Sequence, residues 1–333
     1  MTNVEQSLLE LENITKVFKI GGGLGLMGMR SIKALKDVSF AISGRNPIIT
    51  TLVGESGSGK STIAKLVMGL LEPTQGQILY KGRDVRLWLK NDRMTYRREV
   101  QMIFQDPYSV YNPFYRVERV LHLVVRNFGL ASSSSEARNL VTESMEAMGL
   151  RPEDLLGRFP HQLSGGERQR LMLSRIFLMK PSLVVADEPV SMIDVSLRSI
   201  FLDNLLDLKK RLEMSCLYIT HDLNIAHYVG DEMIVLCEGT IVETGEAESV
   251  VGDPLHPYTR LLVSSIPIPD PREKWKSSLG VEDITLKKFE AEQGCVFSNR
   301  CPRRMEICIR ETPPLISLGA DRQAACFLYG RKE

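Results

Sequence analysis

The residues best equipped for chemistry lie in two glycine-bearing runs and one acidic pair. Gly54-Glu55-Ser56-Gly57-Ser58-Gly59-Lys60-Ser61-Thr62 fits the spacing G-x-x-x-x-G-K-[ST] at Gly54, Gly59, Lys60 and Ser61. Glycines at those places let backbone N–H groups turn inward as an anion nest, and a following helix adds its positive end. Lys60 would then reach the β- and γ-phosphates of a nucleotide, and Ser61 would ligate Mg²⁺. Asp187 and Glu188 close the apolar run LVVAD-E. At the C-terminal end of a buried strand, Asp187 would hold Mg²⁺ and Glu188 would orient and deprotonate an attacking water. A second turn, Ser164-Gly165-Gly166-Glu167, opens another apolar run. Its hydroxyl, N–H groups and helix dipole suit a further phosphate, although an ordinary N-cap has the same composition.

These groups need elements to hold them. Strands are expected at residues 8–18, 38–43, 48–53, 98–105, 183–187, 215–220 and 233–237, where β-branched or apolar runs stand between turn signals. The glycine-rich patch 21–28 reads as a loop. From Asp106 to about Pro160 the pattern is helical, broken by the serine-rich turn at 131–135. Strands alternating with helices predict an α/β fold with a largely parallel sheet covered on both faces.

Composition bounds the rest. The chain has 333 residues, 43% hydrophobic and 25% charged, with Lys+Arg 42 against Asp+Glu 41 and a net charge of +1. Such content folds, and so near-neutral a balance argues against a general nucleic-acid binder. No apolar run approaches the roughly 18 residues of a membrane span, and MTNVEQSLLE has no secretory pattern. Work at a membrane would therefore go through partners. Prolines gather between 254 and 302, which sets a domain boundary near 250. Of six cysteines, Cys216 and Cys237 sit in apolar strands and read as core. Cys295, Cys301, Cys308 and Cys326 crowd the tail with the spacing C-x5-C-x6-C-x17-C, which matches no paired C-x2-C zinc pattern. A metal cluster, a zinc ion, and free thiols or disulfides all stay open on spacing alone.

Leu163-Ser164-Gly165-Gly166-Glu167, followed by RQR, resembles the signature motif of ATP-binding cassette (ABC) ATPases. The resemblance runs from residue 8 to about 250. It implies a RecA-like core with an antiparallel β portion and a helical subdomain at about 106–165. Phe18 corresponds to the aromatic that stacks on adenine, and Gln105 to the glutamine near Mg²⁺ and water. Ser191-Met192-Ile193-Asp194 corresponds to the loop crossing the dimer interface, and His221 to the histidine at the γ-phosphate. The family pairs two ATPase subunits head to tail, so each ATP lies between one phosphate loop and the other subunit's signature. Glu167 where the family often has Gln, and Val190 where it often has Thr, are minor departures.

Three further stretches narrow the branch. QDPYSVYNP at 105–113, Leu255-His256-Pro257-Tyr258-Thr259 and the cysteine-bearing tail are similar to the ATPases of dipeptide and oligopeptide permeases. The insertion at 20–30 resembles their F-type subunit more than the D-type. The resemblance implies residues 1–250 as the nucleotide-binding domain and 251–333 as the family's C-terminal extension. It implies a [4Fe–4S] cluster on the four tail cysteines, with Arg300, Arg303 and Arg304 offsetting its charge. It implies ATP and Mg²⁺ as cofactors, and a different second ATPase as heterodimer partner. Two transmembrane permease subunits and an extracytoplasmic solute-binding protein complete the set, with no nucleic acid. The place implied is the cytoplasmic face of the cell membrane, peripherally bound, and the role is powering uptake of peptides or similar solutes. The alternatives are a soluble ATPase of a metabolic complex such as phosphonate degradation, and a redox sensor using the tail.

Overall fold

The computed structural model describes residues 7–20, 30–106, 111–266, 294–319 and 321–330. The insertion at 21–28, Pro107–Val110 of the QDPYSVYNP run and the prolines at 267–271 lie outside the described residues. In chain order the strands are β1 (Ser7–Ile20), β2 (Arg30–Ser43), β3 (Ile49–Val53), β4 (Gln75–Tyr80), β5 (Arg83–Asp84), β6 (Val100–Ile103), β7 (Leu183–Asp187), β8 (Ser215–Thr220), β9 (Glu232–Cys237), β10 (Thr240–Glu246), β11 (Ile316–Ser317) and β12 (Gln323–Ala324). They form two sheets. One is four-stranded and antiparallel in the order β2-β1-β4-β5. The other has eight strands in the order β11-β12-β10-β9-β3-β8-β7-β6.

In the larger sheet β9, β3, β8, β7 and β6 pair in parallel. Every residue of β3, β7 and β8 is buried. Parallel strands covered on both faces read as unbroken apolar runs, which is why their positions stood out in the sequence. The helix Lys60–Val67 follows β3 and buries Ile63, Ala64, Leu66 and Val67 against a core shared with Leu9, Leu35 and Val38 of the antiparallel sheet. On the other side, Leu121 and Val125 of the helix Arg119–Asn127 pack with Val141 and Met145 of the helix Ser134–Glu146. Both join Leu171, Leu173 and Ile176 of the helix Gly165–Met179 in a second core. Ser133 starts the Ser134–Glu146 helix by accepting the Glu136 N–H at 3.1 Å, which satisfies one of the free donors of that end.

Part of the expected strand 98–105 is helical. The helix Arg93–Glu99 runs into β6, because Tyr96 is buried and its hydroxyl donates to the Val67 carbonyl. The tail completes the sheet edge. β12 pairs antiparallel with β10, with Glu243 opposite Ala324 and Thr244 opposite Gln323. Glu243, fully buried, receives Arg322 at 3.0 Å and the N–H groups of Leu255 and His256 at 2.9 and 2.8 Å. Among the described residues, no helix is long and apolar enough to cross a membrane.

Candidate functional site

The site gathers at the C-terminal ends of β3, β7 and β8. After β3 the chain turns through Gly54, Gly57 and Gly59 at φ 155°, 81° and 110°. A Cβ on Gly54 would stand 2.1 Å from the Leu236 carbonyl oxygen of β9, so only glycine lets the loop lie against the sheet. Ser56 and Gly57 sit exposed at the tip, and Thr62 donates its N–H to the Gly59 carbonyl at 3.0 Å. Lys60 is 5% exposed, and its ammonium donates to the carbonyls of Gly54 and Glu55 at 2.7 and 2.8 Å. Burial lowers its pKa, opposed by the charges of Glu188, Asp187 and Glu55. Ser61 Oγ donates to Asp187 Oδ1 at 3.2 Å. Asp187 is 7% exposed, and burial raises its pKa, against the Ser61 bond and Lys60. An oxygen pair so close, one a carboxylate, suits a hard cation such as Mg²⁺.

Glu188 follows with φ 46°, the left-handed region that a branched or charged residue seldom adopts and that costs about 1–3 kcal/mol. Its N–H donates to the Ile219 carbonyl of β8 at 2.9 Å, and its carbonyl accepts the Ser191 N–H and hydroxyl at 3.2 and 2.9 Å. The backbone is thereby pinned on both sides. Its carboxylate lies between two donors: His221 Nδ1 at 2.9 Å from Oε1 and Gln105 Nε2 at 3.2 Å from Oε2. A carboxylate only accepts, so the imidazole proton sits on Nδ1 in this pair. Asp187 and Glu188 are expected from the strand end, and Gln105 and His221 from the family resemblance; the fold sets Glu188 hydrogen-bonded between Gln105 and His221, with the separate Ser61–Asp187 pair next to it. Asp194 and the helix Val195–Leu212 that it opens continue from the Ser191 turn.

Two named groups lie elsewhere. Phe18 is half-buried on β1, with the Lys16 ammonium 5.3 Å over its ring. Ser164 caps the helix Gly165–Met179 and is closed on itself. The Glu167 N–H donates to Ser164 Oγ at 3.2 Å, while the Ser164 N–H and hydroxyl donate to Glu167 Oε2 at 2.7 and 2.8 Å. The Ser164 hydroxyl proton, assigned to an anion from the sequence, is thus committed within the chain. Partial burial pushes Glu167 up, but the two Ser164 donors, with Arg170 and Arg158, leave its pKa below the ordinary range.

The tail holds what spacing could not reveal. All four tail cysteines line one pocket together with His256, Phe297 and Arg303. Yet among the described residues no group of three or more His, Cys, Asp or Glu is gathered as a metal-binding set. Burial pushes the Cys295 thiol up to about 11 and raises Cys301 and Cys326. His256 is buried, accepts the Tyr258 N–H on Nδ1 at 3.0 Å, and has its pKa lowered to about 4 by that burial. Arg300 does not serve the thiols as expected: its guanidinium grips Glu55 in the phosphate loop, at 2.9 Å to each carboxylate oxygen.

Residues 35–191 match the family described as ABC transporter, and residues 242–308 the oligopeptide/dipeptide transporter C-terminal region. The chain is 34% identical over 329 residues to the oligopeptide transport ATP-binding protein OppF of Haemophilus influenzae, covering 98% of each. It is 36% identical over 324 residues to the di/tripeptide transport ATP-binding protein DppF of Pseudomonas aeruginosa, covering 96% of this chain and 97% of that one. The dimeric, ADP- and phosphate-bound ATP-binding cassette MJ0796 superposes with TM-score 0.61 at 27% identity, over 72% of this chain and 98% of its own. A soluble metabolic ATPase gives no reason for the matched C-terminal region. With its phosphate loop, acidic strand end and that region in one chain, the protein belongs to the ATP-binding proteins of the oligopeptide/dipeptide ABC transporter family.

Proposed function

We propose that the chain hydrolyses ATP to drive uptake of di- or oligopeptides through partner permease subunits. The observation that carries the catalytic part is the Glu188 carboxylate held between His221 and Gln105 beside the Ser61–Asp187 pair. Lys60 exchanges the Gly54 and Glu55 carbonyls for β- and γ-phosphate oxygens, and loop N–H groups not bonded within the chain, those of Gly57, Gly59 and Lys60, hold the rest of the triphosphate. Phe18 stacks on adenine. Ser61, Asp187 and Gln105 would hold Mg²⁺, which when bound neutralises phosphate charge. Glu188 takes the proton of the water that attacks the γ-phosphorus, as the bond to the ADP oxygen breaks. His221 aims Glu188 and reaches the γ-phosphate.

The second half of each site comes from pairing. Ser164, Gly165, Gly166 and Glu167 meet the ATP held by a second, different ATPase subunit, and Ser191 and Asp194 lie along the interface. ATP binds the closed pair preferentially, so binding and hydrolysis shift the population between closed and open. The helical part at about 106–165 passes that motion to two permease subunits at the cytoplasmic face of the membrane, fed by an extracytoplasmic solute-binding protein. Residues 251–333 form the extension, and Cys295, Cys301, Cys308 and Cys326, as thiolates, would hold a [4Fe–4S] cluster. Their convergence on one pocket and the ligand count support this, and the group would staple a tail with little core.

A tagged pull-down from detergent-solubilised membranes, read by mass spectrometry, tests the reading. Two polytopic membrane proteins and a second ATPase are expected. A soluble complex with metabolic enzymes and no membrane protein overturns the transport role and leaves the ATPase chemistry standing.

A further inference from the structure

Glu55 is the second residue of the phosphate loop, and the C-terminal extension holds it at two points. Its backbone N–H donates to the Tyr258 hydroxyl at 2.9 Å. Its carboxylate takes both ends of the Arg300 guanidinium at 2.9 Å each, a bidentate pair that fixes orientation as well as distance. On its other side the Glu55 carbonyl accepts the Lys60 ammonium at 2.8 Å and the Ser58 N–H at 3.2 Å. One residue therefore joins the tail to the lysine of the loop.

The holding groups are themselves fixed. Tyr258 is fully buried in the helix Pro257–Ser264, and its ring meets Phe297 edge-on at 5.4 Å. The Arg300 guanidinium lies 5.2 Å from the Phe297 ring centre and 5.8 Å from that of Tyr258. Its backbone belongs to the turn between Cys295 and Cys301, where Ser298 N–H donates to Cys295, Arg300 N–H to Phe297 and Cys301 N–H to Ser298. Any change in the thiol pocket that reshapes this turn moves the guanidinium.

We propose that Arg300 is a positioning residue for nucleotide binding: through Glu55 it sets the first turn of the phosphate loop, so the C-terminal extension tunes the affinity for ATP. This rests on reading the loop as the ATP phosphate site. By linkage, nucleotide in the loop also steadies the tail turn.

The test is Mg²⁺-dependent titration of the full chain with a fluorescent ATP analogue, beside turnover at saturating ATP. Arg300→Ala is expected to weaken binding about fivefold, the scale of a half-exposed bidentate ion pair. Glu55→Gln leaves the tail turn untouched and is expected to show a comparable loss, so the result does not hang on the folding of one variant. Restoration to within about twofold by the exchanged pair Glu55→Arg with Arg300→Glu separates positioning from general damage. Binding by Arg300→Ala within about twofold of wild type overturns the proposal, as does a loss that the exchanged pair leaves uncorrected. Lys60→Ala is the control: if it too binds normally, the loop reading itself has failed.

Discussion

Two glycine-rich segments open helices in this protein, and they are built in opposite ways. The loop before the helix Lys60–Val67 carries three glycines at positive φ and has no side-chain cap. The N–H groups of Gly57, Gly59 and Lys60 are left for a ligand, while those of Glu55, Ser58 and Thr62 are bonded within the chain, and the loop's shape is imposed by the backbone of β9 pressing on Gly54. The Ser164–Glu167 start uses its own side chains as a reciprocal capping box, and neither of its glycines has positive φ. One segment is unfinished without an anion; the other is a complete helix start. The same glycine and serine letters therefore describe a nest in one place and a cap in the other. What separates them is whether a neighbouring strand forbids a Cβ.

The largest effect belongs to the chemistry around the first segment. Glu188→Gln keeps the shape and the φ of 46° but removes the group that accepts a proton. Turnover is expected to fall by roughly 10²–10⁴, while ATP binding persists. Phosphate release assays beside nucleotide titration check both halves, and near-normal turnover would remove Glu188 from its role. Next comes a matched pair of glycine substitutions. Gly54→Ala drives a Cβ to 2.1 Å from the Leu236 carbonyl, and is expected to cost about 3 kcal/mol or more, since sheet backbone must move. Gly166→Ala meets only the Leu197 side chain at 3.1 Å, and the change is expected to stay within about 1 kcal/mol, because alanine suits a helix. Denaturant melts of the two variants decide it. Equal losses would erase the distinction between nest and cap.

How far this was legible from sequence follows the same line. β7 and β8 match their expected ranges residue for residue, because strands buried on both faces leave unbroken apolar runs. The glycine loop was legible because its backbone demands specific residues at fixed spacing. The exposed and very short strands were not. β4 begins with exposed Gln75, Gly76 and Gln77, and β11 and β12 are two residues each, held by pairing with distant segments. Side-chain partnerships across long separations were equally hidden. Arg300 looked like a counter-charge for its neighbouring thiols, and nothing local says that its partner is 245 residues away at Glu55. The strained φ of Glu188 likewise has no sequence sign, because its cause is the Ile219 carbonyl and the Ser191 turn.

The smallest effect tests the cap itself. Ser164→Ala removes an N-cap oxygen and is expected to cost about 1 kcal/mol. The Glu167 carboxylate accepts two bonds from Ser164, which with nearby arginines hold its pKa below the ordinary 4.5. A carboxylate depressed on folding stabilises fully above its unfolded pKa, and that contribution is lost as acid protonates it. The gap between wild type and Ser164→Ala is therefore expected to be widest near neutral pH and to narrow below about pH 4.5. Thermal melts at several pH values read this directly. A gap that stays constant down to acid would mean that the carboxylate does not support the helix start. Ser164 and Glu167 would then turn to a nucleotide at no cost to the helix start, and the two segments would differ only in their glycines.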